Sequence, residues 1–133
     1  MTAESKSSSQ TRAAAAQTAI EARHLRRLGG WVPGTRIGAV AWPRVNHPTL
    51  RARLTASWNY WWQAHLVDLL VDGAVHRNDH RCAADAVALL RGIRLHNLGR
   101  WTNNYYDDMA WLGLAVERVD RHLDPMVGTS HPF

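Results

Sequence analysis

Asn104-Tyr105-Tyr106-Asp107-Asp108 echoes Asn59-Tyr60-Trp61-Trp62-Gln63 at an offset of 45 residues. Self-similarity at a period of roughly 20–50 residues marks stacked supersecondary units, each burying its face against the next. The chain therefore reads as all-α, two helical hairpins of a repeating α/α array. The two copies differ in chemistry: the places held by Trp62 and Gln63 in the first unit are taken by two carboxylates in the second.

Hydrophobic spacing places the helices around this repeat. Residues 11–28 carry a narrow apolar stripe of Ala13, Ala16, Ile20, Leu25 and Leu28, ended by Gly29-Gly30. Residues 31–48 hold three prolines and two further glycines and read as a loop. A second helix spans residues 49–72, where Leu50, Leu54, Trp58, Trp61, Trp62, His65, Leu66 and Leu69 cover most of the circumference and Gly73 stops the run. A third, over residues 79–97, is amphipathic, with Ala83, Ala86, Val87, Leu90 and Ile93 inward and Arg81, Asp85 and Arg91 toward water. The fourth, over residues 105–123, is apolar on nearly every side in its first half, which predicts burial.

Helices one and three are thus one-sided, whereas two and four are apolar nearly all round. An outer and an inner ring of helices would require that alternation. Residues 1–10 are Ser-rich and polar and read as a disordered tail, residues 11–124 as the helical domain, and residues 125–133, after Asp124-Pro125, as an irregular tail.

Composition narrows the function. Apolar content of 46% argues for a folded chain, and seven Trp against one Phe is an unusual aromatic balance. The net charge is +5, but the arginines are scattered among acids and no Lys/Arg run exceeds two, so a nucleic-acid partner is not expected. A lone Cys82 excludes an internal disulfide. Residues 1–10 contain one Lys and no apolar run, and no stretch approaches the 18 or so apolar residues of a membrane span. The expectation is a cytoplasmic chain with no membrane partner, or a secreted one if an upstream signal is missing.

The acids Asp107 and Asp108 stand where a polar, aromatic loop enters an apolar helix. Acids in a first turn commonly do no more than complement the helix dipole. Here Trp101, Tyr105, Tyr106 and Trp111 bracket them, and aromatic faces are what sugar rings stack on. Two Asp side chains leaving one helical turn can set their carboxyl groups roughly 5 Å apart, the separation of a retaining glycosidase. His76, His80, Cys82 and His96 raise a metal site, but the His pair straddles a turn after Gly73, and solvated or hydrogen-bonded histidines are the simpler reading.

The stretch Asn104-Tyr105-Tyr106-Asp107-Asp108-Met109-Ala110-Trp111-Leu112 resembles the catalytic signature of glycoside hydrolase family 76, the endo-α-1,6-mannanases. Trp58-Asn59-Tyr60-Trp61-Trp62-Gln63-Ala64-His65-Leu66-Val67-Asp68 resembles the helix that precedes it in that family. The resemblance covers roughly residues 12–123. It implies an (α/α)6 toroid, of which about two hairpins would be present, so the chain would be a fragment with impaired or no activity alone. It also implies Asp107 as nucleophile and Asp108 as general acid/base in retaining hydrolysis of α-1,6-mannosidic linkages. Asn104, Tyr106, Trp62 and Gln63 would line the substrate site, α-mannan or a mannooligosaccharide would be the partner, and neither cofactor nor metal would be needed. Exposed inner helices would offer a route to self-association. The alternative from another class is a non-catalytic carbohydrate-binding or helical interaction remnant.

Overall fold

The computed structural model describes residues 3–39 and 59–127, and the chain is mostly helical. Helix α1 (Ala3–His24) leads into a two-residue strand β1 (Leu25–Arg26), which pairs antiparallel with β2 (Ile37–Gly38) in the register Leu25↔Gly38 and Arg26↔Ile37. Then come α2 (Tyr60–Arg77), α3 (His80–His96) and α4 (Tyr106–Val127). Helix α2 is central, packing on both α3 and α4. Among the described residues no helix is long and apolar enough to cross a membrane. The predicted helix over residues 49–58, with Leu50, Leu54 and Trp58, lies outside the described residues.

The core is a set of complementary stripes. Val67, Leu70, Val71 and Ala74 of α2 meet Cys82, Ala86, Leu89, Leu90 and Ile93 of α3, and α4 adds Leu112, Ala115, Val119 and Leu123. Each fully buried aliphatic side chain contributes about 1.5–3 kcal/mol. Arg118 ties α4 back to α2, its two guanidinium nitrogens reaching Asp68 at 2.7 Å and Asp72 at 2.6 Å.

Several boundaries differ from the expectation. Helix α1 begins at Ala3, not near residue 11, because neither Gly nor Pro interrupts the chain before Gly29. The predicted apolar stripe of α1 is not what it buries: Ala13 and Ala16 are exposed, and Gln17 and Glu21 are buried. Gln17 Nε2 donates to Glu21 Oε1 (2.8 Å) and to Cys82 Sγ (3.3 Å), while Arg77 donates to Gln17 Oε1 (2.6 Å) and Arg81 to Glu21 Oε2 (3.0 Å). Hydrogen bonding replaces apolar burial at this contact, since buried polar atoms are costly only when unpaired.

Gly73 does not stop α2. The helix runs four residues further and ends at Asn78, whose left-handed backbone (φ 51°) turns the chain toward the Asp79 cap of α3. Gly73 is there for clearance, because a Cβ would lie 2.3 Å from Gln17 Nε2 and 2.9 Å from Cys82 Sγ. At the far end, α4 continues to Val127, past the Asp124-Pro125 pair expected to end it. A proline so near a terminus costs one backbone bond and leaves little helix to disrupt.

The alternation of inner and outer helices is not what the structure holds. Helix α3 is buried on two sides, because the loop before β2 packs on it: Arg36 N–H donates to the Ala88 carbonyl (2.8 Å) and Arg36 Nε to Asp85 Oδ1 (2.8 Å). Asp85, expected in water, is therefore 9% exposed. Helix α4, expected to be buried all round, buries one stripe and leaves Trp111 (47%) and Leu114 (58%) exposed.

Candidate active site

The loop between α3 and α4 builds the site. Leu98 and Gly99 both take positive φ (54° and 83°), reversing the chain after α3. Asn97 Nδ2 then donates to the carbonyls of Arg100 and Thr102, each at 2.9 Å, and the buried Tyr60 hydroxyl donates to the Trp101 carbonyl. Burial first, and the Asp108 charge second, push that hydroxyl up to about 12. Asn103 delivers the chain into α4. Its Oδ1 accepts from Tyr105 N–H (2.9 Å), and its Nδ2 donates to Asp108 Oδ2 (2.9 Å). This is helix-entry chemistry in which the amide of Asn103 also fixes the direction of one carboxylate.

Asp107 and Asp108 stand in the first turn of α4, Asp107 exposed and Asp108 half-buried. Both line an open pocket of about 430 Å³ with Asn59, Trp61, Tyr105 and Trp111. The aromatic surface extends away from the acids. Trp111 lies 5.2 Å from His65, His65 5.4 Å from Trp61, and Trp61 5.4 Å from Trp62, by ring centroids. Trp61 and His65 share a face because they are one turn apart on α2, and Asp107 and Trp111 share a face of α4 for the same reason.

The four other expected site residues are dispersed. Asn104 is exposed and lines an adjoining pocket of about 420 Å³ that Asp108 also borders. Tyr106 is 87% exposed and lines neither pocket. Trp62 belongs to a separate apolar recess of about 310 Å³ with Ile20, His24, Leu66 and Leu69, joined to the acid pocket by the ring contacts of Trp61 and His65. Gln63, expected to line the substrate site, is fully buried: its Oε1 accepts from Gly38 N–H (2.7 Å) and its Nε2 donates to the Gly38 carbonyl (2.8 Å). Its role here is to hold β2 against α2.

Trp61, Asn103 and Asn59 are the neighbours that the expectation did not assign. Trp111, already read as bracketing the acids, stands four residues after Asp107, whereas nothing local marks Asn59 as facing a loop 45 residues away.

No three His, Cys, Asp or Glu side chains cluster as metal ligands among the described residues. Cys82 is buried, with its thiol directed to Asp79 Oδ2 (3.3 Å) and Glu21 Oε1 (3.6 Å); burial, the Asp79 bond and the nearby carboxylate charges push it up to about 12. A thiol held in its protonated form is a poor nucleophile and a poor ligand. Burial lowers His96 below the usual imidazole range. Comparison of the chain with known protein families, with characterised proteins and with solved structures finds no match.

Proposed function

We propose that the chain carries the paired-carboxylate site of a glycoside hydrolase of the family 76 type, acting on α-1,6-linked mannan. The observation that carries this is the pocket in which Asp107 and Asp108 meet Trp61 and Trp111. Adjacent carboxylates beside exposed indole faces suit a pyranose, whose C–H face stacks on the ring while its acetal oxygen meets the acids. In this reading Asp107 attacks the anomeric carbon and the glycosidic bond breaks as Asp108 gives its proton to the departing oxygen. Water then releases the sugar from Asp107, losing its proton to Asp108. Asn103 keeps Asp108 turned toward its task. The hairpins α2–α3 and α4 belong, on this reading, to an (α/α)6 toroid in which the aromatic face of α2 and α4 looks inward.

A second reading, binding without hydrolysis, is favoured by one observation: α4 lies open along Trp111 and Leu114, so among the described residues the pocket has a floor and no roof. One experiment separates the two. The purified chain, Asp107→Asn and Trp111→Ala are compared for retention on α-1,6-mannan and for release of reducing ends. Hydrolysis lost in Asp107→Asn, with retention kept, supports the glycosidase. Retention lost only in Trp111→Ala, with no hydrolysis by any variant, supports the binding protein. Neither retention nor hydrolysis by the folded parent chain refutes both.

A further inference from the structure

Where the loop before β2 meets α3 lies another concavity, of about 520 Å³, lined by Pro33, Thr35, Arg91, Arg94, Leu95 and Trp101 among others. Its walls are built. On one side, the loop before β2 is fixed by Leu28 N–H to Thr35 Oγ1 (3.3 Å), Thr35 Oγ1 to the Val32 carbonyl (2.7 Å) and Arg36 N–H to the Ala88 carbonyl (2.8 Å). That loop reaches α3 only because residue 92 is glycine: a Cβ there would lie 1.7 Å from the Arg36 carbonyl oxygen. On the other side stand Gly99 and Trp101, the indole being half-buried against the core.

The charge in this groove is one-sided. Arg91 and Arg94 are one turn apart on α3, and no carboxylate among the described residues lines the cavity. Arg94 is steadied by the Gly99 carbonyl (3.3 Å) and lies 5.8 Å from the Trp101 ring centroid, a cation–π arrangement that holds it without neutralising it. Arg91 has no hydrogen-bond or ion-pair partner among the described residues. By contrast Arg36, Arg81 and Arg118 each meet a carboxylate.

We propose that this groove is a binding site for a small organic phosphate monoester. Two guanidinium forks offer parallel N–H donors to a tetrahedral dianion and match its charge, whereas a carboxylate would leave one cation uncompensated. The apolar wall of Pro33, Leu95 and Trp101 calls for an organic group on the phosphate. The site is separate from the paired acids and stands whether or not they hydrolyse a sugar.

The test is titration of the full chain at low ionic strength with phenyl phosphate, inorganic phosphate and benzoate, read by NMR shifts of the Arg Nε–H and Trp indole N–H signals. Phenyl phosphate should bind about tenfold tighter than either alternative, and Arg91→Gln should weaken it by about tenfold or more, the weight of one charge-assisted contact. Arg12→Gln, the same charge change on the exposed half of α1, should leave it unaltered. Gly92→Ala, which pushes one wall outward, should abolish the preference for the phenyl group while circular dichroism shows the helices intact; if that variant does not fold, the Arg91→Gln comparison decides alone. Equal affinity for all three anions, equal loss in Arg91→Gln and Arg12→Gln, or no saturable binding of phenyl phosphate would each overturn the proposal.

Discussion

Replacing Gln63 by Leu should cost stability without touching the acids. Leucine has nearly the volume of glutamine and keeps the helix, so the change isolates the loss of two hydrogen bonds. Gly38 N–H and Gly38 C=O, bonded to Gln63 at 2.7 and 2.8 Å, would face methyl groups in a fully buried position. A buried backbone group left without a partner costs about 1–3 kcal/mol, so the pair should cost about 2–6 kcal/mol. Against a total stability of about 5–15 kcal/mol that is a large fraction. For a domain of this size, about 3–4 °C of Tm is lost per kcal/mol, which sets the expected fall at about 6–24 °C by far-UV circular dichroism. Urea titration should show the same loss with an unchanged slope. A fall below about 3 °C would refute the structural role of Gln63. If mannan retention vanished while Tm held, Gln63 would face the sugar after all.

Other consequences follow from the polar contacts around α3. Although burial opposes ionisation of Asp79, the bonds from Cys82 and Arg81 and the Arg81 charge outweigh it and hold its carboxyl below the usual range. Its contribution is therefore present above the ordinary carboxylate range and is lost as pH falls through the lowered value, so Asp79→Ala should cost about 1 kcal/mol at neutral pH and lose less on acidification than the parent chain. Cys82 should resist alkylation at mildly alkaline pH in the folded chain and react readily in urea, because its thiol lies near 12 when folded against an ordinary 9.0. The sign is opposite to that of Asp79: this stability is complete below pH 9.0 and fades as pH rises toward 12. Tyr60 fades over a neighbouring alkaline window, so Cys82→Ala should flatten only part of the decline in alkaline urea titrations.

Much of the fold was legible wherever one element decides its own state. The period of Ala83, Ala86, Val87, Leu90 and Ile93 gives α3, and Asp79 stands at its cap with bonds to Arg81 and Cys82 N–H. The acids of the first turn of α4 were likewise visible, as was their aromatic setting. What the sequence could not reveal were contacts that join distant segments. An apolar run on α4 looks buried from its own residues, but burial needs a neighbour, and Trp111 and Leu114 have none among the described residues sufficient to cover them. Gly73 reads as a helix break because local rules see only conformational freedom, and Gly92 draws no notice inside its helix. Both are sites where another segment approaches within bonding range. The family resemblance implies Gln63 as a sugar ligand, whereas its partner in the structure, Gly38, lies 25 residues upstream.

The docking of α1 through Gln17 and Glu21 has a consequence for alignment. An alanine face can slide along another helix with little penalty, since one methyl replaces another. Shift α1 by one turn, however, and Ala13 would stand where Gln17 meets Cys82, while Gln17 would offer Arg81 a neutral amide in place of a carboxylate. Arg77 would then lose its bond to Gln17, and the buried Cys82 thiol its contact with the Gln17 amide, a penalty no sliding could recover. Two polar residues thus act as a key with one seating, giving a weakly apolar helix a single address on the rest of the molecule.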